Sequence, residues 1–233
     1  MAPGWKWERR LWGDGYRRVA GVDEAGRGPL AGPVVAAAVV LPFPCHLPGL
    51  NDSKLLTAKE RDRLYDLILE EALDWAVGRE TARAIDRDNI LQASLRAMGR
   101  AVRGLAHPPD FLLVDGRQRV PLPLPQETLV GGDRLSPSVA AASILAKVTR
   151  DRLMRDYDRR YPGYGFASHK GYPTRAHLFA LSRLGPCPIH RLSFRPLQDH
   201  RPLLERWPHE GGPSKAPASS NSVAKDSAKW GPI

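Results

Sequence analysis

VAGVDEAGRGPLAGP, residues 19–33, is the stretch of sequence that decides the fold. It begins with small and β-branched apolar residues, as a buried strand does, then places Asp23 and Glu24 side by side and breaks into a glycine-rich turn. Side chains alternate faces along a strand, so the two acids converge on one point only where the strand ends or bulges. The glycines within 26–32 supply that irregularity. We therefore predict a strand that delivers two carboxylates at its end.

The adjacent charges of Asp23 and Glu24 must be offset. Two carboxylates about 4 Å apart repel by roughly 4 kcal/mol at an effective dielectric constant of about 20. A shared proton, the basic neighbour Arg27 or a divalent cation such as Mg²⁺, which takes carboxylate and phosphate oxygens, could offset this repulsion. An Asp-Glu pair by itself is usually a solvated turn. This pair follows an apolar strand, where α/β sheets commonly bind ligands, and the pattern therefore favours a functional site.

Two further acids stand beside predicted elements. Asp115 closes the apolar run 111–114 as Asp23 closes the first strand, so both carboxylates meet at one edge of the sheet if the two strands are parallel neighbours. The alternative for Asp115 is an ordinary Asp-Gly turn. Asp133 precedes the helix that Pro137 is predicted to open, where an acid can also act as a simple anionic cap. The residues alone leave both alternatives open.

The rest of the chain alternates apolar strand patterns with amphipathic helix patterns. The predicted strands, of which the first two form a hairpin, are 17–23, 34–41, 74–81, 111–116 and 126–130. The predicted helices are 58–73, 89–105, one from Pro137 onward, and one from a Thr174 cap to about Leu184. Thr57 and Glu60 have the spacing of a capping box. Met98 and Phe166 are predicted to be core residues.

Composition favours a polyanionic partner and a reducing compartment. The formal net charge is +10, which suits nucleic acid, although basic chains also occur without binding it. The two cysteines, Cys45 and Cys187, form no metal or redox spacing, which favours a cytoplasmic protein. The N-terminus has no apolar signal core, and the longest apolar run, 34–41, is too short to span a bilayer. We expect no export and no membrane insertion.

Basic and aromatic residues suggest where nucleic acid binds. Lys54 precedes a helix, and Lys147 and Arg150 fall about one turn apart on another, so each is either a solvated side chain or a phosphate contact. Residues 161–174 interleave aromatics, glycines and bases, which suits a loop that stacks on a sugar or base. In residues 26–28, Gly26 and Gly28 have no Cβ atom, so a ligand can approach the main chain closely. The N–H and C=O groups there can pair with a ribose 2′-hydroxyl.

Residues 23–34, DEAGRGPLAGPV, resemble the signature of ribonuclease HII, the type 2 ribonuclease H, and later segments extend the resemblance over roughly 17–207. The resemblance implies an α/β fold, with a ribonuclease H-like mixed sheet flanked by helices and a small C-terminal helical subdomain from about residue 150. Residues 1–16 then form an N-terminal arm. Residues 208–233, rich in Gly, Pro, Ser, Ala and Lys, are expected to be a disordered tail.

The same resemblance implies a metal-dependent endonuclease. It would hydrolyse the RNA strand of RNA–DNA hybrids and incise at single ribonucleotides in duplex DNA, leaving 5′-phosphate and 3′-hydroxyl ends. Its catalytic acids and ligands for one or two Mg²⁺ or Mn²⁺ ions would be Asp23, Glu24, Asp115 and Asp133. One ion would lower the pKa of the attacking water and the other would stabilise the leaving oxygen. The family often has Lys where this chain has Gly131, so no lysine acts there.

The resemblance also implies the residues that bind substrate. Gly26, Arg27 and Gly28 would read the 2′-hydroxyl, Lys54 and Lys147 would contact phosphates, and Tyr172 would pack at the RNA–DNA junction. His190 and Arg191, in the segment that resembles the end of the family's domain, are interpreted as structural or phosphate-facing.

Two other functions fit part of the pattern. Another metal-dependent nuclease of the same fold would share the acids without depending on a 2′-hydroxyl. A non-enzymatic, basic nucleic-acid-binding protein would explain the net charge, but it would not explain three separate sites of strand-end or loop acids. We expect a monomer, because no long apolar surface pattern demands a partner.

Overall fold

The hairpin and the parallel pair predicted from the sequence lie at the centre of one mixed sheet. The structure is a computed structural model that describes residues 3–200; the predicted tail, 208–233, lies outside the described residues. Five strands occur in the spatial order β3-β2-β1-β4-β5. Their bounds are β1 Val19–Ala25, β2 Val34–Val40, β3 Asp74–Glu80, β4 Phe111–Asp115 and β5 Gln126–Leu129.

The direction of the strands brings two of the predicted acids to one edge. Strand β1 pairs antiparallel with β2 and parallel with β4, and β4 pairs parallel with β5. In the parallel pair Val22 lies opposite Val114. Asp23 and Asp115 each follow one of these valines, so the condition under which the two acids meet, parallel neighbouring strands, is fulfilled. The prediction that the first strand ends at Asp23 is wrong, because β1 continues to Ala25 through its pairing with β2 and both Asp23 and Glu24 lie within it.

Six helices surround the sheet in the part of the chain that the structure describes. Their bounds are α1 Lys6–Gly13, α2 Ala58–Glu71, α3 Ala82–Arg103, α4 Pro137–Arg160, α5 Phe166–His169 and α6 Arg175–Leu184. The capping box of Thr57 and Glu60 at the start of α2 is confirmed, as is the Thr174 cap of α6. Ser136 caps α4 by accepting a hydrogen bond from the Val139 amide.

Helix α3 starts earlier than predicted. Thr81 caps it, and Asn89, with φ of 68° and ψ of 165°, interrupts it where the predicted helix begins. The apolar spacing of the later part was visible in the sequence. The first turns, ARAIDRD at 82–88, carry too many charges to show an apolar period.

The sheet is covered on both faces. On one face α3 packs against alternate side chains of the strands, with Met98 in the core as predicted. On the other face α2 and α4 pack together. Helix α4 lies so close to β1 that a Cβ added at Gly21 would be 2.1 Å from the carbonyl carbon of Ser138. The backbone of α4 therefore packs directly against the backbone of β1.

A smaller apolar cluster joins the end of the glycine-rich turn to the helices α4–α6. It includes Leu30, Met154 and the fully buried Phe166, whose predicted core position is confirmed. Helix α1 docks through Leu11, which packs with Val19 and Val139. Among residues 3–200, no helix has both the length and the apolar character needed to cross a membrane.

The contact at Gly21 predicts a large cost for one added methyl group. Gly21→Ala should lower the free energy of unfolding by about 3 kcal/mol, because α4 must move away from β1. Gly13→Ala is the matched control, since a Cβ there meets no atom within 4 Å, and its effect should stay within about 0.5 kcal/mol. Urea unfolding of both variants measures the difference, and equal stabilities would contradict the close packing.

Candidate active site

The acids predicted from the sequence face one another at the edge of the sheet. Asp23 is only 5% exposed, and its pKa is raised well above its usual value by burial and then by the charges of Glu24 and Asp115. Asp133, only 3% exposed, has a raised pKa because of burial, then Asp52 and Asp115. The four predicted acids therefore form one cluster of mutually repelling carboxylates.

The carboxylates of Asp23 and Asp115 each accept a hydrogen bond from a specific donor. Asp23 Oδ1 accepts a hydrogen bond from the Glu24 amide at 2.6 Å, and Ser143 of α4 also bonds the Asp23 side chain. Asp115 Oδ1 accepts from the Gly132 amide at 2.7 Å. These bonds orient carboxylates that would otherwise turn away from one another.

Asp133 lies in a short 3₁₀ turn, Gly132–Arg134, just before α4. The cap of α4 is Ser136 rather than this acid, so the alternative of Asp133 as a simple helix cap is wrong. Gly131, with φ of 69°, begins the turn in the left-handed region. A side chain there would meet the guanidinium of Arg134, with a Cβ 2.9 Å from its Nη2. A positive charge thus lies beside the position where the family often has lysine.

A fifth acid, Asp52, lies beside this cluster and was not predicted from the sequence. It is buried, it hydrogen-bonds the side chain of Asp133, and its Oδ1 accepts from the Lys54 amide at 2.9 Å. Its position two residues before Lys54, in the loop already expected near the substrate, was the available signal. Nothing in the local pattern distinguishes it from an ordinary loop aspartate, because its neighbour Asp133 is 81 residues away in the sequence.

Two exposed cations reach the acid cluster. Lys54 Nζ lies 3.8 Å from Asp133 Oδ2, and Arg27 Nη1 lies 3.2 Å from Glu24 Oε1. Burial lowers the pKa of Lys54, but nearby acids together raise it above its usual value. These acids are Asp133, Asp52, Asp23 and Asp115. Both side chains are largely solvent-exposed, 80% and 51% respectively, so they can leave the carboxylates without unpacking the core.

The donor set fits a hard divalent cation. The acids at this edge are all carboxylates, and oxygen ligands of this kind suit Mg²⁺ and Mn²⁺. Within residues 3–200 no group of three or more His, Cys, Asp or Glu side chains is arranged so that it could hold a metal ion as it stands. Burial is the main cause of the raised pKa values of Asp23, Glu24 and Asp133, and at Asp133 the charges of Asp52 and Asp115 raise the pKa by more than Lys54 lowers it. A bound cation would supply the missing positive charge.

The predicted ribose-reading loop is held from below by Arg191. This side chain is fully buried, and its guanidinium donates to the carbonyl oxygens of Gly26 at 2.6 Å, Arg27 at 2.9 Å and Gly32 at 2.9 Å. Of the two interpretations offered for Arg191, structural and phosphate-facing, the structural one is therefore confirmed. The side chain of Arg27 and the Gly28 backbone remain exposed above it.

Arg150 performs a similar task, and both interpretations of it as a solvated or phosphate-contacting residue are wrong. It is 1% exposed and donates to the carbonyl oxygens of Pro33, Ala31 and Lys170 at 3.0–3.1 Å. The helix-face prediction failed because the glycine-rich turn folds over this face of α4. Its neighbour Lys147 is partly exposed and pairs with Asp151 at 2.7 Å, which leaves its predicted phosphate contact a proposal.

Tyr172 is brought to the exposed end of the same loop. A Cβ added at Gly28 would lie 3.7 Å from its ring carbon Cε1, and the tyrosine is 42% exposed. The Tyr172 carbonyl accepts from His177 Nδ1 at 2.9 Å, and His177 Nε2 meets His190 Nε2 at 3.1 Å. Burial lowers the pKa of His190 to about 3, so both histidines are neutral and structural.

Comparison with known proteins identifies the family. The ribonuclease HII family profile matches residues 20–196. Ribonuclease HII of Syntrophotalea carbinolica is 61% identical over 193 residues, which cover 83% of this chain and 92% of that protein. The Geobacter sulfurreducens enzyme is 59% identical over 196 residues, covering 84% and 90%. The crystal structure of ribonuclease H2 from Pyrococcus horikoshii has a TM-score of 0.68 at 26% identity, covering 82% of this chain and all of that one.

The mixed sheet flanked by helices, with Asp23 and Asp115 just past the parallel pairing of its central strands, defines a nuclease of the ribonuclease H-like fold. The chain belongs to the ribonuclease HII family, and it is an endoribonuclease of ribonuclease H type 2. The resemblance carried by residues 23–34 and the α/β fold expected from it are confirmed.

The electrostatics of the site predict that Asp23→Asn changes the melting temperature in opposite directions in EDTA and in Mn²⁺. In EDTA, Asp23→Asn should raise the melting temperature, because it removes a buried carboxylate whose pKa is raised by burial and by its acidic neighbours. The wild type gains a proton at Asp23 as pH falls through that raised pKa. The advantage of the variant should therefore be largest at alkaline pH and shrink towards acidic pH.

With Mn²⁺ added, the order should reverse, because the wild type gains stability from binding and the variant gains less. Thermal unfolding from pH 5 to 9, with EDTA or Mn²⁺, makes the measurement. Asp66→Asn, an exposed site on α2, is the control and should change neither series. Stability lost in EDTA on substituting Asp23 would contradict the repulsive cluster.

Proposed function

We propose that the chain hydrolyses the RNA strand of RNA–DNA hybrids and incises at single ribonucleotides embedded in duplex DNA, leaving 5′-phosphate and 3′-hydroxyl ends. The observation that carries this proposal is the meeting of the acid cluster with the glycine loop and Tyr172 along one surface. One part suits the chemistry of a phosphodiester, and the other suits recognition of the sugar beside it.

Mg²⁺ or Mn²⁺ would be held by Asp23, Glu24, Asp115 and Asp133, which we propose as the catalytic residues. Bound there, a divalent cation activates water and stabilises charge on phosphate oxygens. The exposed Lys54 and Arg27 would give up their contacts with the carboxylates. Lys54 is then free to pair with a backbone phosphate, and this exchange keeps the local charge nearly balanced.

Residues 26–28 would read the ribose. Arg191 engages the carbonyl oxygens of Gly26 and Arg27 from inside the protein, which limits how the loop can turn. Gly28 has no side chain and is exposed, so a sugar can approach its backbone closely. The 2′-hydroxyl is the group that distinguishes RNA from DNA, and contact with main-chain groups here would detect it.

Tyr172 and Lys147 would complete the substrate site. The exposed ring of Tyr172 beside Gly28 is suited to packing on the deoxyribose that adjoins the ribonucleotide, where a second 2′-hydroxyl would crowd it. Lys147 would exchange its contact with Asp151 for a phosphate. The net charge of +10 supports attraction of the duplex along the whole surface. We further propose that the protein acts as a cytoplasmic monomer.

Cleavage of a duplex that carries one ribonucleotide tests the proposal. With Mg²⁺ or Mn²⁺, only the strand bearing the ribonucleotide should be cut, and EDTA should abolish cutting. Asp115→Asn should reduce the rate at least about a thousandfold, because it removes a charge at which the cation would bind. An all-DNA duplex is the control: equal cutting of both duplexes would favour a nuclease that ignores the 2′-hydroxyl, and binding without cutting would favour a binding protein.

The proposed role of Tyr172 predicts a selective defect. Tyr172→Ala should slow incision at a single ribonucleotide by about tenfold or more, the magnitude of a lost aromatic contact with nucleic acid, while Mn²⁺ affinity stays unchanged. Phe179→Ala is the control, because Phe179 is an exposed aromatic of α6 with 63% exposure. Unchanged incision by the Tyr172 variant would refute the role.

A further inference from the structure

Helix α1 places a carboxylate in the interior that the proposed chemistry does not use. Glu8 is fully buried, and its Oε1 accepts hydrogen bonds from Ser136 Oγ at 2.5 Å and from the Ser138 amide at 3.1 Å. Burial raises the pKa of Glu8, although these two bonds lower it. Its second oxygen, Oε2, has no hydrogen-bond partner among the described residues. A buried acid kept at such a cost calls for an explanation beyond helix docking.

The bonds of Ser136 continue from Glu8 to the acid cluster. The Ser136 amide donates to the Gly132 carbonyl at 2.9 Å. The Gly132 amide in turn donates to Asp115 Oδ1 at 2.7 Å. Asp133 lies within this same turn, between Gly132 and Ser136. Glu8 is therefore linked by three consecutive contacts to a candidate metal ligand and holds the segment that carries a second one.

Helix α1 is attached on both sides of this turn. Leu11 packs with Val139 at the start of α4, and Arg10 forms an ion pair with Glu127 of β5, the strand that leads into the turn. The carboxylate of Glu8 also lies at the N-terminal end of α4, where the helix dipole favours a negative charge. The turn between β5 and α4 is thus fixed by the helix as well as by its own hydrogen bonds.

We propose that Glu8 is a positioning residue for Asp115 and Asp133, acting through Ser136 and the Gly132–Arg134 turn. This inference rests on the proposed function, since it assumes that the two aspartates hold the divalent cation. It assigns the N-terminal helix to the active site itself, although the helix contributes no group to the chemistry. A helix that only stabilised the fold would not influence how tightly the cation binds.

Mn²⁺ titration of the full-length protein by calorimetry, together with kcat and KM for the single-ribonucleotide duplex, tests the inference. Glu8→Ala should weaken Mn²⁺ binding by about tenfold, as expected when an outer partner of a ligand is lost. The cost in turnover should fall on kcat rather than on KM, because the duplex-binding surface is untouched. Glu8→Gln keeps an oxygen acceptor for Ser136 and Ser138, so it should restore Mn²⁺ affinity to within about twofold.

Two further variants separate positioning from stability. Ser136→Ala should weaken Mn²⁺ binding about as much as Glu8→Ala, and the double variant should be no weaker than either single one, because both break the same connection. Lys6→Ala, at an exposed position of the same helix, is the control and should bind Mn²⁺ as the wild type does. If Glu8→Ala does not fold, Ser136→Ala still tests the connection: it also removes the cap of α4, so an unchanged Mn²⁺ affinity overturns the inference, and a loss supports it only where Glu8→Gln keeps the wild-type affinity.

The outcomes are distinguishable from a failure of the proposed function. A wild type that neither binds Mn²⁺ nor cuts the duplex overturns the proposed function and this inference with it. A wild type that does both, with Ser136→Ala and any folded Glu8 variant matching its Mn²⁺ affinity, overturns only the inference, even if those variants melt at lower temperature. Weakened affinity that the glutamine variant restores supports it.

Discussion

The structure depends on one electrostatic constraint, which is that mutually repelling carboxylates must be held together at one edge of a sheet. The parallel pairing of β1 with β4 brings Asp23 and Asp115 there, and the close packing of α4 on Gly21 brings the segment that carries Asp133. Burial and then the acidic neighbours raise the pKa values of Asp23 and Asp133. The rest of the fold must hold these carboxylates together against their repulsion.

The predicted ribose-reading loop is held by positively charged side chains, those of two buried arginines. Among the described residues, Arg150 and Arg191 have no carboxylate in hydrogen-bond contact, and their buried guanidinium groups donate to main-chain carbonyl oxygens. Burial lowers their pKa values to about 10 and about 9, so both remain charged at neutral pH. Five rigid donors let one guanidinium fix several carbonyls at once, which lysine cannot do. The two cations also leave a positive field beneath the surface that would face phosphate.

The local features of this fold could be predicted from the sequence, whereas the long-range contacts could not. The capping box at Thr57, the Thr174 cap of α6 and the acid at the end of β4 are each indicated by a few neighbouring residues. The contacts of Glu8 with Ser136 and of Arg191 with Gly26 join residues 128 and 165 positions apart. The sequence does not distinguish a buried arginine or glutamate from a solvated one, so only the packed structure separates the two cases.

The positively charged side chains near the site fall into two groups, buried arginines that are fixed in place and exposed side chains that can move away from the acids. Arg150 and Arg191 are fixed by carbonyl oxygens and are buried, so they cannot move to neutralise the acid cluster. Lys54 and Arg27 touch that cluster but are largely exposed, and withdrawing them costs little packing. If the buried cations paired with the carboxylates instead, a divalent ion would have to break a desolvated ion pair to bind, at a cost of several kcal/mol, about 3–5. Keeping only exposed side chains against the acids leaves the edge of the sheet stable without an ion and open to one.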